Sequence, residues 1–232
     1  MNSPTKIKAV TFDVGGTLIS PWPSVGHVYA EIAAQHGFSE ISADQLTKRF
    51  HTVWRASKNF DYTRAGWEEL VNETFRTLIP DSAKITFFSE LYDRFAQPGA
   101  WRVFEDVRPT LEKLASMEFR LGVISNWDER LRILLKRLRL SHYFERIVIS
   151  CEVGFPKPSP VIFEQAASKL GVAPGQILHV GDSSEMDFRG AKSAGFHAVL
   201  LQRDPQNPSP EKPGVDEIVS LLELPERAIS GD

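Results

Sequence analysis

The chain has 232 residues, 42% of them hydrophobic and 25% charged, with a formal net charge of −3. This is the composition of a globular protein, and it excludes a global basic field that would drive non-specific nucleic-acid binding. The single cysteine, Cys151, excludes an intrachain disulfide framework and a cysteine-based zinc site.

The opening residues, Met-Asn-Ser-Pro-Thr-Lys-Ile-Lys, do not read as a secretory signal. No apolar run approaches the ~20 residues of a membrane span, so a cytoplasmic protein without membrane partners is expected. Ile7 to Asp13 is a short Val/Ile-type run and predicts a buried strand. From Ser20 to Gln97 the pattern turns helical and aromatic-rich, with Trp22, Phe50, Trp54, Phe60, Trp67, Phe75, Phe87 and Phe88. Pro21 and Pro23 stand at one end, Pro98 and Gly99 at the other, so 20–97 reads as an inserted, all-helical second domain. The flanking 1–19 and 98–232 then form one core. The mixed basic and aromatic stretch Trp54 to Phe60 suits either the lining of a substrate entrance or, the favoured reading, the packed interior of that insert.

Val107 to Met117 predicts a helix, with Pro109 tolerated in its first turn. Arg120 to Ser125 predicts the second core strand. Glu129 to Leu140 is basic and amphipathic, with a leucine stripe expected to cover the sheet while its cations face water. Ile147 to Ser150 predicts a third strand, and Cys151 behind it reads as a small buried hydrophobe. Ser159 to Leu170 predicts a helix stopped by Gly171. Ile177 to Gly181 predicts a fourth strand, in which His179 reads as a satisfied core histidine. Asp187 to Ala194 predicts a helix ending at Gly195, and His197 to Leu201 a fifth strand. Gln202 to Gly214, with four prolines, reads as a surface loop before a short helix over Asp216 to Leu222. Strands alternating with helices predict an α/β, Rossmann-like three-layer core with a parallel sheet.

In such sheets ligands bind beyond the carboxyl ends of the strands. The residues that follow the strands are Asp13, then Ser125 and Asn126, then Lys157, then Asp182 and Asp187. Together they suit phosphoryl transfer. An ionised Asp13 can attack phosphorus. Ser125 and the amide of Asn126 can donate to phosphoryl oxygens. Lys157 can neutralise charge, Asp13 and Asp182 can hold Mg²⁺ through hard oxygens, and Asp187 can orient Lys157 or a metal-bound water.

The segments DVGGTL at 13–18, ISN at 124–126, KPSPVIF at 157–163, GDSSEMD at 181–187 and GAKSAGFHAVLL at 190–201 resemble the haloacid-dehalogenase-like hydrolase superfamily. The resemblance covers nearly the whole chain. It implies a Rossmann-like core with a helical cap inserted after the first motif, Mg²⁺ as cofactor, Asp13 as nucleophile and the Gly15 carbonyl as a further metal ligand. It also implies Thr17 among the residues around the phosphoryl group. The expected substrate is a small phosphorylated metabolite.

The superfamily's phosphatases carry a second Asp two residues after the nucleophile, where this chain has Gly15. A missing acid/base costs roughly 10²–10⁴-fold in rate. Asp128, Glu185 and His27 are the candidates to replace it. Asp128 also reads as a helix N-cap, Glu185 as a surface charge and His27 as an ordinary residue of the insert. One alternative is a phosphate-binding or regulatory protein that no longer turns over. Another is a 2-haloacid dehalogenase, but that subclass has an aromatic residue at the Gly15 position and an early arginine. No Lys or Arg lies between Lys8 and Lys48 here. The same gap counts against a phosphonoacetaldehyde hydrolase, whose cap supplies a Schiff-base lysine. Gly15→Asp is expected to raise phosphatase activity sharply if the acid alone is missing.

Overall fold

The computed structural model describes residues 6–58, 60–79, 85–203 and 216–230. The chain divides into two compact units, Met1–Ile19 with Val103–Asp232, and Ser20–Arg102.

In chain order the strands are β1 (Ala9–Phe12), β2 (Ile19–Pro21), β3 (Trp101–Val103), β4 (Arg120–Ser125), β5 (Arg146–Ile149), β6 (Ile177–Gly181), β7 (His197–Leu201) and β8 (Glu217–Ile218). The helices are α1 (Val25–Gln35), α2 (Ala43–Ala56), α3 (Arg64–Phe75), α4 (Phe88–Arg94), α5 (Val107–Ser116), α6 (Arg130–Arg137), α7 (Ser150–Val153), α8 (Pro160–Leu170), α9 (Gly190–Ser193) and α10 (Leu224–Ser230).

The first unit is built on a six-stranded sheet in the order β5-β4-β1-β6-β7-β8, with every neighbouring pair parallel. The central strands are apolar runs without alternation, as strands covered on both faces require. Ile162, Phe163 and Ala166 of α8 pack with Ala9, Ile124, Val148 and Ile177. Val107, Leu111 and Leu114 of α5 are buried outside that cluster, and α5 packs on β4. This is the α/β Rossmann-like core expected from the alternation of elements. The chain steps from β1 out to β4 and β5, then returns to the other side of β1 with β6. The topological switch point therefore lies beside the end of β1, where open sheets bind ligands.

Three local expectations change. Asp216 to Leu222 is not one helix: Glu217–Ile218 adds to β7 as an edge strand, and helical structure starts only at a 3-10 turn over Leu221–Glu223, capped by Ser220, that leads into α10. Cys151 is exposed, because the chain turns into α7 immediately after β5 and carries it outward. Burial of its sulfur and the nearby Glu129, Glu152 and Asp128 push the thiol up to about 11. The helix expected from Asp187 begins earlier, as a π-helical turn over Ser184–Arg189 that runs into α9. Residues 204–214 of the proline-rich loop lie outside the described residues.

The leucine stripe of the basic helix is buried at Leu131, Leu134 and Leu135 in α6, and Arg132 reaches out to Glu152 at 2.6 Å.

The second unit holds α1 to α4 around Leu46, Phe75, Phe87 and Leu91. Ser24 caps α1, Ser42 and Gln45 form a capping box on α2, and Thr63 caps α3. Trp54 stacks on Trp67, centroids 5.7 Å apart, and Phe60 meets Trp67 edge-on at 4.8 Å. These rings are half-buried and pack on one another; Asn59 between them lies outside the described residues.

Candidate active site

Asp13 follows β1, and its backbone N–H continues the ladder by donating to Val180 O at 2.9 Å. Its carboxylate is therefore fixed over the sheet edge by strand pairing. Gly16, three residues on, has φ +82°, and a Cβ there would collide with the Asp182 carboxylate. Only glycine combines that left-handed conformation with so close an approach. Gly181 closes the other side: a Cβ there would run into Asp187.

Lys157 is the hub. Its side chain is 2% exposed, and Nζ donates to Asp13 Oδ1 at 2.7 Å and to Asp187 Oδ1 at 2.5 Å. Ser125 Oγ donates to Asp13 Oδ1 at 3.0 Å. Asn126 holds the backbone of Lys157 from both sides: its Nδ2 donates to Lys157 O at 3.0 Å and its Oδ1 accepts from Lys157 N at 2.7 Å. The Asn126 side chain is thus committed to placing the lysine. Asp187 is committed as well, since Oδ2 accepts from the Ser183 N–H at 3.0 Å and Oδ1 also meets His179 Nε2 at 3.2 Å. His179 is fully buried, and its Nδ1 lies 3.0 Å from Thr11 Oγ1. It is the satisfied core histidine expected, but its partner is a residue of the site, which the sequence did not reveal.

Burial by itself would lower the Lys157 ammonium; Asp13 and Asp187 outweigh it and hold the lysine protonated. Burial would likewise raise Asp187, but Lys157 and His179 hold it below the usual carboxylate range. Burial lowers His179, which keeps the ring neutral. Nε2–H then donates to Asp187 while Nδ1 accepts from Thr11. Asp13 is raised by burial and by the Asp187 charge, against the pull of Lys157. Asp182 is exposed as a residue, yet its carboxyl is crowded, and burial together with Asp13 and Asp187 pushes it up to about 8.

Oxygens of Asp13, Asp182 and Asp187 lie within 4.8 Å of one another. Three carboxylates face one lysine, and the hard oxygen donors and excess negative charge fit a divalent cation such as Mg²⁺. A cation there would favour the ionised forms of Asp13 and Asp182.

The structure thus brings Asp13, Ser125, Lys157, Asp182 and Asp187 together. Gly15 lies beside them, bridged to Ile19. Thr17 is fully buried, and its Oγ1 has no hydrogen-bond partner among the described residues. Asp128 is fully buried; it pairs with Arg130 at 2.5 Å and accepts from the Arg130 N–H, but the N-cap position of α6 is Glu129, one residue later than expected. Glu185 is exposed on the π-helical turn. His27 belongs to the second unit, where Nδ1 bonds the α1 cap Ser24 at 2.9 Å. Trp127 was not singled out by the sequence, yet its indole edge stands against Gly15.

Residues 7–195 match the model of the haloacid dehalogenase-like hydrolase family. The chain is 35% identical over 209 residues to mouse haloacid dehalogenase-like hydrolase domain-containing protein 3, covering 84% of this chain and 82% of that protein. A HAD phosphatase from Thermococcus onnurineus superposes with a TM-score of 0.68 at 29% identity, covering 95% of this chain and 97% of the other. A 2-haloacid dehalogenase from Pseudomonas syringae pv. Tomato superposes with a TM-score of 0.67 at 27% identity, with the same coverage. Sequence, fold and strand-end carboxylates agree that this chain belongs to the haloacid dehalogenase-like hydrolase family.

Proposed function

We propose that the protein is a Mg²⁺-dependent phosphatase of a small phosphorylated metabolite that works through an aspartyl-phosphate on Asp13. The observation that carries this reading is the Lys157 clamp: one buried ammonium bonds both Asp13 and Asp187. It aims a carboxylate oxygen at the sheet edge and supplies positive charge where a phosphoryl group would sit. The similarity to the Thermococcus phosphatase supports the same reaction class.

Ser125 and the backbone N–H of Asn126 are the donors for phosphoryl oxygens, and Lys157 neutralises charge as Asp13 attacks. Asp187 keeps Lys157 in place, and His179 keeps Asp187 in place. Asp13, Asp182 and the Gly15 carbonyl are the ligands for Mg²⁺, which when bound supplies charge neutralisation at the phosphoryl oxygens. The unit Ser20–Arg102 acts as the cap that selects substrate and excludes water.

The test is phosphate release from a panel of phosphomonoesters and acyl phosphates, with Mg²⁺ and with chelator, beside Asp13→Asn. Metal-dependent release that vanishes in the variant supports the reading. No release above the variant, with chloride freed from 2-haloacids instead, would replace it with a dehalogenase. Neither product would leave a binding protein.

A further inference from the structure

We propose that Trp127 is a specificity-determining residue of this site: it closes the space beside Gly15 and so restricts turnover to phosphoryl groups whose leaving group departs unprotonated, acyl phosphates above all. The proposal rests on the phosphatase reading and names its substrate class. A Cβ at position 15 would lie 3.2 Å from Trp127 Cζ3 and 3.9 Å from Cη2. The first distance is tighter than ordinary van der Waals contact, so any side chain at 15 would need the indole edge to give by a few tenths of an ångström.

The ring is not free to retreat with its backbone. The Trp127 N–H donates to Ser150 Oγ at 3.1 Å, Ser150 Oγ donates to Trp127 O at 3.1 Å, and the Cys151 N–H donates to the same carbonyl at 3.3 Å. The residue is thereby pinned to the chain that follows β5.

The buried ionisable neighbours in this unit are already committed. Lys157 is shared by two carboxylates. Both oxygens of Asp187 and both ring nitrogens of His179 are engaged. Asp128 is buried against Arg130. Asp182 faces the cation site as an acceptor. Glu185 is exposed two residues before the buried Asp187, a spacing that puts the two on different faces of the turn. Among the described residues of this unit, none of these groups is left to hand a proton to a leaving oxygen beside position 15.

An acyl phosphate needs none. An Asp13 oxygen bonds to phosphorus as the bond from phosphorus to the acyl oxygen breaks, and the electron pair leaves on a carboxylate anion. Water then attacks the aspartyl-phosphate, the phosphorus–Asp13 bond breaks to regenerate the carboxylate, and both water protons leave with dihydrogen phosphate.

The experiment compares kcat/KM for acetyl phosphate and phenyl phosphate in the intact Mg²⁺-loaded protein and in G15D, W127G, W127F and G15D/W127G, with thermal melts of each. The intact protein should favour acetyl phosphate by about 10²–10⁴-fold, the range that a positioned acid otherwise supplies. The double variant should narrow that gap by about tenfold or more, because the new carboxyl then has room to act as an acid. G15D alone and W127F should keep the gap. Asp13-dependent release with near-equal rates on both substrates overturns this proposal and leaves the phosphatase reading standing. So does a gap that G15D alone closes as far as the double variant. Absence of Asp13-dependent release from either substrate overturns both. If the double variant does not fold, G15D decides: an acetyl-to-phenyl gap that it leaves intact supports the proposal, and one that it narrows by about tenfold or more overturns it.

Discussion

Replacing Lys157 with Met tests the clamp at its centre. The side chain is 2% exposed and bonds Asp13 at 2.7 Å and Asp187 at 2.5 Å, so its loss leaves two buried carboxylates facing each other without a cation. Breaking one buried ion pair by removing a partner costs about 3–5 kcal/mol. For a protein of this size each kcal/mol moves Tm by about 2–4 °C, which gives a fall of roughly 6–20 °C. The sign of the pH dependence also changes. In the intact protein Asp187 is held below the usual carboxylate range, so its contribution is present at neutral pH and is lost as pH falls through that depressed value. Without Lys157 the carboxylates are raised instead, so K157M regains part of its lost stability as pH is lowered from 7 towards 5. Scanning calorimetry at both pH values is the assay, with K157M/D187N as a partner variant that removes one orphaned charge and recovers part of the loss. A K157M Tm within about 1 °C of the intact protein at pH 7 would refute the clamp as the organising interaction.

The remaining predictions concern the rest of the site and its support. Tm should rise with MgCl₂ by the equivalent of about 1.4 kcal/mol for each tenfold excess over Kd, and D182N should abolish that rise in a fluorescence melt. Gly16→Ala places a side chain at φ +82° against Asp182, so it should cost about 1–3 kcal/mol in urea unfolding and weaken the Mg²⁺ response. Asp106 accepts from Arg203 at 2.9 and 3.0 Å, from Ser220 Oγ at 2.9 Å and from the Leu221 N–H at 2.9 Å. Burial would raise its carboxyl, but these partners outweigh it and hold it low, so the stabilisation exists at neutral pH and is lost as pH falls below about 4. D106N should lower Tm at pH 7 by the equivalent of about 1–2 kcal/mol and flatten the acid limb of the Tm–pH profile.

The residues after each core strand were legible because two local signals coincide there. A short Val/Ile run marks a buried strand, and a polar side chain directly after it must lie at the carboxyl edge. Asp13, Ser125 and Asp182 stand out in that way; Lys157 lies eight residues past the end of β5, beyond α7, and only the fold returns it to the same edge. The edge strand Glu217–Ile218 does not stand out, because two residues have no period, and the helical pattern that runs on to Ile229 masks them. Cys151 was misplaced because its exposure is set by where β5 stops, one residue earlier than its apolar run suggests.

By itself, then, the sequence determined which groups reach the sheet edge and the chemical class they suit. The tertiary structure decided what each group does to the others. Strand order sets β1 between β4 and β6, so Asp13 meets Ser125 on one side and Asp182 on the other. The same order brings His179 under Asp187. Trp127 meets Gly15 across 112 residues of chain for the same reason, and no local pattern announces that contact. Periodicity reports how a segment faces the core, whereas electrostatic partners and steric neighbours are fixed by the register of strands far apart in sequence.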